Sequence, residues 1–301
     1  MSIQRLVIVG FLLAASTIVA AQGERDSLKI YISADMEGVA GAVTADQLGP
    51  SGFEYERFRG FMTAEVNAAI DGARTAGATE ILVSDSHGNG ENLFIEQMPS
   101  DVMIVRSWPR ELAMMEGIDE SFDGVIFIGY HASTANTRGV RAHTMSSANV
   151  TDLRLNGMSM SEGSMNAAIA GQFGVPVIMV SGDDVAVAET QVIVGDMEGA
   201  VVKWAKGFHS ALTLTPEAAR EVIRTRAASA VSRIDEFEPY ILDTPIEVEL
   251  SLKHYQPVEL LAYLPNIERV NSHTVRFIAQ DMTEVSKFLE FVLNYEVGLQ
   301  P

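Results

Sequence analysis

Cysteine is absent from all 301 residues, which excludes disulfides, thiolate metal ligands and the lipidated cysteine of a lipoprotein anchor. Any bound metal must be held by His, Asp and Glu. Positive charge is also scarce: 21 Lys and Arg stand against 40 Asp and Glu, a formal net charge of -19. A chain this acidic repels nucleic-acid phosphates and anionic lipid, so neither is expected as a partner, whereas cationic or zwitterionic small molecules suit it. There is no G-x-S-x-G elbow, no G-x-x-x-x-G-K-[ST] phosphate loop and no H-E-x-x-H helix. The glycines of HGNGEN lack the full spacing of a dinucleotide fingerprint, so NAD is not expected either.

Only one stretch raises the question of a membrane. The first 21 residues combine a basic start at Arg5, an apolar run from Leu6 to about Leu13 and small residues at Ala20 and Ala21, the pattern of a secretory signal. The strongly apolar part is shorter than the roughly 20 residues a spanning helix needs. Residues 1–21 are therefore expected to be cleaved, leaving a periplasmic or secreted protein with no membrane attachment.

What is present is a pattern of alternating strands and helices. With 47% hydrophobic residues the chain can build a sizeable core. Near-continuous apolar runs at 28–34, 79–85, 102–106, 124–130 and 176–182 predict strands buried on both faces. Between the first two, residues 54–75 predict a helix with Phe58, Phe61, Met62, Val66, Ala69 and Ile70 on one face. A second helix is predicted from about Glu162 to Phe173, and the stretch 184–209 reads as helix-rich and acidic. Thr215 and Pro216 then open a helix that runs to about Ser232. Beyond it, IEVELSL and HTVRFIAQ predict antiparallel strands, and a closing helix follows at 282–296. The expected fold is α/β, a mostly parallel sheet flanked by helices at 22–212, followed by a smaller α+β C-terminal domain at 213–301.

Parallel sheets bind ligands at the carboxyl ends of their strands. At those ends stand Asp35 and Glu37 in SADMEG, Asp85 and His87 in SDSHGNG, and His131 in GYHAS, with His143 in RAHTM and Glu162 in MSEGSMN close behind. Taken singly, each is as well read as a turn or capping residue. Three of only six histidines nevertheless fall between 87 and 143 at predicted strand exits. Together with the carboxylates they match the ligand set of zinc or a similar divalent metal. On an extended segment Asp35 and Glu37 would leave the chain on the same face, where a dication would offset their repulsion. His209, His254 and His273 read as structural or surface residues. Met114, Met115, Met158, Met160 and Met165 read as packing.

In chain order, the motifs DMEG at 35–38, SDSHG at 84–88, GYHA at 129–132, HT at 143–144, SEGSMNA at 161–167 and VSGDD at 180–184 resemble those of the M55 peptidase family of D-aminopeptidases. The resemblance covers the chain from about Leu28 to the C-terminal helix. It implies a binuclear zinc peptidase in which Asp35 bridges two ions per subunit and Glu37, His87, His131 and Glu162 complete the ligands. It implies His143 as the catalytic histidine, a short peptide containing D-amino acids as substrate, and ring-shaped homo-oligomers, decamers, around enclosed active sites; the expected export would make D-alanine peptides of the cell wall accessible. Asp85 is expected either to orient a ligating histidine or to hold a turn, and Asp183 and Asp184 to support the site or bind the substrate's amine. Two other functions fit the same residues: an exported peptide- or metal-binding protein without turnover, and a metal-dependent amidohydrolase on another substrate.

Overall fold

The computed structural model describes residues 27–295, so the expected signal segment lies outside the described residues. Strands β1 (Lys29–Ala34), β2 (Glu80–Asp85), β3 (Met103–Val105) and β4 (Gly124–Tyr130) come first, with helix α1 (Tyr55–Thr75) between β1 and β2. A hairpin of β5 (Val150–Leu155) and β6 (Met158–Ser159) precedes α2 (Glu162–Gln172), β7 (Val177–Asp183), α3 (Asp184–Val194), β8 (Glu198–Gly207) and β9 (Ser210–Thr213). Then come α4 (Pro216–Ser232), β10 (Ile246–Leu252), α5 (Tyr255–Leu261), β11 (Ile267–Arg269), β12 (Thr274–Ala279) and α6 (Met282–Asn294).

The apolar runs form a seven-stranded sheet in the order β3, β2, β1, β4, β7, β8, β9, parallel except for β9. β4 and β7, near its centre, are buried along their whole length, because helices and a second sheet cover both faces. On one face α1 and α4 pack together through residues such as Val66, Ala69, Ile223 and Ala227. On the other, α2, α6 and the second sheet share a core that includes Ile169, Val248 and Leu289. Strand order matters for the site. The chain runs outward from β1 to β2 and β3, returns to β4, and then proceeds the other way, so the loops leaving β1 and β4 part and open a crevice between them.

The second sheet is antiparallel, in the order β11, β12, β10, β5, β6. β10 shows why: Ile246, Val248, Leu250 and Leu252 are buried while the residues between them are only partly so, the alternation of a sheet with one wet face.

Two features differ from the sequence reading. Residues 184–209 are not helical throughout: after α3, Glu198, Ala200 and Val202 alternate inward and add β8 to the parallel sheet beside β7. Sheet membership also does not divide at residue 213. β5 and β6 lie before it yet pair with β10, and α4 lies after it yet packs on α1 over the first sheet. Among the described residues no helix is long and apolar enough to cross a membrane.

Candidate metal centre

Acidic and imidazole side chains meet at the crevice between β1 and β4. Asp35 directly follows β1, His87 lies two residues past β2, His131 directly follows β4, and Glu162 opens α2. Ser161 caps α2 by accepting the Ser164 amide at 3.1 Å, which puts Glu162 in the first turn at the helix's positive end. His143 arrives on the loop after β4, held by its amide donating to the Ala132 carbonyl at 3.0 Å.

Asp35 and Glu37 converge through a turn rather than along an extended segment, which corrects the expectation of a shared strand face. β1 ends at Ala34, the Met36 amide donates to Asp35 Oδ1 at 2.9 Å, and the Val39 amide donates to the Met36 carbonyl at 3.1 Å. Only glycine fits the next position, since a Cβ on Gly38 would overlap the Tyr130 carbonyl oxygen. The same crowding acts from β4: Gly129 has φ +72°, and a Cβ there would overlap the Asp35 carbonyl oxygen.

The three histidines are oriented alike. His87 Nε2 lies 2.6 Å from the Leu48 carbonyl, His131 Nδ1 3.0 Å from that of Ala132, and His143 Nδ1 2.8 Å from that of Arg141. A carbonyl oxygen only accepts, so each of these nitrogens carries the proton, and the other nitrogen of each neutral ring presents a lone pair. Those lone pairs face carboxylates. His87 Nδ1 is 3.0 Å from Asp35 Oδ1 and 2.8 Å from Glu37 Oε2; His131 Nε2 is 3.4 Å from Asp35 Oδ2 and 3.3 Å from Glu162 Oε2; His143 Nε2 is 3.7 Å from Glu162 Oε1. Asp35 Oδ2 and Glu37 Oε2 are buried without a hydrogen-bond donor, the alignment at His87 being wrong for one despite the short distance.

Lone pairs facing anions in a buried site are unfavourable unless a cation lies among them. Two groups of side chains have ligand atoms within 4.8 Å of one another, Asp35 with Glu37 and His131, and His131 with His143 and Glu162. The electrostatics agree. Burial, aided by Glu37, pushes Asp35 up to about 7. Burial disfavours charge on His131 as well, but Glu162, Asp35 and Glu37 outweigh it and hold this ring up at about 10, so without a metal the carboxylates draw a second proton onto the ring, and a dication among them would take that proton's place. His143 moves the other way: burial and then its neighbour His131 lower its pKa, which keeps it a neutral base. The donor set, imidazole nitrogen and carboxylate oxygen with no sulfur, fits zinc.

Around this centre lies a cavity of about 290 Å³. Asp35, Glu37, His87, His143 and Glu162 line it, whereas His131 does not.

The turn that carries Glu37 is clamped by two residues the sequence reading passed over. Lys203, fully buried on β8, donates from Nζ to the carbonyls of Glu37, Val39 and Ala42. From α1, Glu65 accepts the Ala40 amide at 2.9 Å, and its Oε2 is buried without a donor. A signal for Glu65 was present, because it lies three residues after Met62 and four before Ala69 on the buried stripe.

Three aspartates act locally. Asp85 accepts the amides of Asn92 and Leu93 at 2.5 and 2.7 Å and Asn92 Nδ2 at 2.8 Å, so it organises the loop carrying His87 without touching the ring. Asp183 caps α3 and accepts the Val140 amide at 2.9 Å. Asp184 accepts the Ala205 amide at 2.8 Å, and neither residue lines the cavity. His209, His254 and His273 are exposed and do not line the cavity.

With the geometry in place, comparison with known proteins places the chain in a family. The profile of M55 peptidases, described as D-aminopeptidase, matches residues 28–291, from β1 into α6. The chain belongs to the M55 peptidase family. A curated family relative, the D-aminopeptidase of Bacillus subtilis (strain 168), is 33% identical over 259 residues, covering 85% of this chain and 93% of that protein. A solved structure, the Zn-dependent D-aminopeptidase DppA from Bacillus subtilis, described as a self-compartmentalizing protease, superimposes with a TM-score of 0.84 at 30% identity, over 91% of this chain and 100% of that one.

Proposed function

We propose that this chain is an exported aminopeptidase that uses two zinc ions to remove the N-terminal residue of short peptides containing D-amino acids, D-alanine peptides above all. One observation carries the reading: three histidines, each tied by one ring nitrogen to a backbone carbonyl, turn the other nitrogen toward buried carboxylates, two of whose oxygens, Asp35 Oδ2 and Glu37 Oε2, lack donors. Asp35, Glu37, His87, His131 and Glu162 would hold the metal. Bound there, zinc supplies Lewis acidity that polarises the scissile carbonyl and makes water more acidic.

The chain's own residues do the rest. His143 faces the cavity, and its Nδ1–H is engaged by Arg141, so Nε2 is the atom free to move a proton. It accepts the proton of the attacking water as the carbon–oxygen bond forms and delivers it to the leaving amine as the carbon–nitrogen bond breaks. The clamp of Lys203 and Glu65 keeps Glu37 in place through the cycle. Self-association into a ring, a decamer in this reading, would enclose the sites; exposed Phe53, Val192 and Tyr263 offer apolar surface for it. The pattern of residues 1–21 supports export.

The test is hydrolysis of matched D-alanyl and L-alanyl dipeptides by zinc-loaded protein, with a chelated control. Turnover of the D-peptide at about ten times the L rate or more, abolished by chelator, is expected. Preference for the L-peptide overturns the stereochemical part, and affinity without turnover in either series overturns the enzymatic one.

A further inference from the structure

The cavity at the metal centre has a wall that the ligand set leaves unexplained. The last turns of α6 contribute Glu290, Leu293 and Asn294 to it. Among the described residues four carboxylates line this space, those of Asp35, Glu37, Glu162 and Glu290, and no Lys or Arg does. Three of the four stand in the groups able to hold a metal. Glu290 stands in neither.

Glu290 is nevertheless only 8% exposed. Among the described residues no Lys or Arg comes within ion-pair distance of it, and its carboxylate accepts Asn294 Nδ2 at 3.1 Å. Burial raises its pKa, against the opposing pull of the Arg110 amide and guanidinium. Arg110, which makes no ion-pair contact with Glu290, offsets only part of the cost of withdrawing this carboxylate from water, and a carboxylate that borders a pocket can recover more of that cost from a cationic ligand. The neighbouring surface is apolar, supplied by Met114, Met145 and Leu293, so a charged group and a small side chain of one ligand could be met together.

We propose that Glu290, steadied by Asn294, receives the free α-ammonium group of the substrate and so makes the cavity read the amino terminus of a peptide. The inference rests on the aminopeptidase reading and adds to it the residue that distinguishes a free from a blocked N-terminus. Apart from the metal, no Lys or Arg among the described lining residues offers the carboxyl terminus of a peptide an ion pair, so Glu290 sets the direction of binding: amine inward, remainder of the chain toward the opening.

Two hydroxamates that differ only in the amine provide the test: D-alanine hydroxamate and propionohydroxamate, each titrated calorimetrically into zinc-loaded protein, with zinc content measured alongside. In the unaltered protein the amine should tighten binding by about tenfold or more, as expected of a charge-assisted contact in a partly buried site. In Glu290→Gln that advantage should fall to about threefold or less, with the affinity for propionohydroxamate and the zinc content unchanged, and Glu290→Asp should recover part of it. A full amine advantage persisting in Glu290→Gln overturns the proposal. So does a parallel loss of both ligands and of zinc, which marks Glu290 as a structural partner of the Arg110 segment. If neither hydroxamate binds the unaltered zinc-loaded protein, the metallo-aminopeptidase reading itself fails and takes this assignment with it.

Discussion

The rings of His131 and His143 stack face to face, their centroids 4.0 Å apart and their planes within 7°, and both turn Nε2 toward Glu162. Their surroundings differ. His131 also reaches Asp35 and is shut away behind the cavity, whereas among the described residues Glu162 is the one carboxylate within ion-pair distance of His143, which borders the cavity. In the proposed function the pair would divide into a holding ring and a proton-moving ring, although both stand in a group able to hold a metal. His131→Ala should empty the site of zinc. His143→Ala should keep stoichiometric zinc and lose about 10² to 10⁴ in turnover. Elemental analysis beside kcat separates the two, and equal zinc loss in both variants would sink the division.

Metal binding should show as stability. A ligand that binds only the folded state at about 100 times its Kd adds roughly 2.7 kcal/mol, a rise of about 5 to 10 °C in Tm for a chain of this size. Chelation should lower the Tm of the zinc-loaded protein by that amount. Asp35→Asn removes a carboxylate placed among His87, His131 and Glu37, so this variant should contain no zinc and melt at the same temperature with or without chelator. A chelator-sensitive melting point in Asp35→Asn would contradict the role given to Asp35.

Lys203 supports the turn of Glu37 from beneath. Its ammonium satisfies three carbonyls at once, and Lys203→Met would fill the same space while leaving all three without a donor. Each buried orphan costs about 1 to 3 kcal/mol, partly offset because the cation no longer has to be buried. A net loss of roughly 2 to 4 kcal/mol in unfolding free energy is expected, together with weaker zinc binding as the turn loosens. Full stability with unchanged zinc affinity would show that the turn holds itself.

Legibility in the sequence followed the range of the interactions involved. β1, β2, β4 and β7 are continuous apolar runs whose burial depends on their own residues, and their bounds are readable to within about a residue or two. β8 was hidden because Lys203 interrupts its apolar alternation, and the lysine makes sense only once the Glu37 turn lies against it. The membership of β5 in the second sheet rests on pairs such as Val248 with Leu155, which no local pattern announces. At the site, residue types at strand exits marked Asp35, Glu37, His87, His131, His143 and Glu162, and the fold brings them together. How they are oriented was not readable, because the carbonyls of Leu48, Ala132 and Arg141 that orient the rings are backbone atoms with no residue-type signature.

Glu65 should give the protein a pH dependence separate from that of the metal ligands. Burial pushes its carboxyl up to about 7 from an ordinary 4.5, with the Ala40 amide and Lys203 pulling the other way. The folded state therefore binds this proton more tightly than the unfolded chain does. The stabilisation is fully present below about 4.5 and is lost as the pH rises through about 7, amounting to roughly 3 kcal/mol by linkage. Glu65→Gln stays neutral across the range, keeps an oxygen for the Ala40 amide, and should flatten this part of the profile. At pH 8 the variant should exceed the parent in unfolding free energy, by less than the full linkage value because Lys203 loses a nearby negative charge. Near pH 4.5 the two should meet. Urea denaturation of both proteins at several pH values, in chelator so that zinc occupancy does not vary, isolates the difference; parallel profiles from pH 4.5 to 8 would show that Glu65 is ionised in the folded protein throughout.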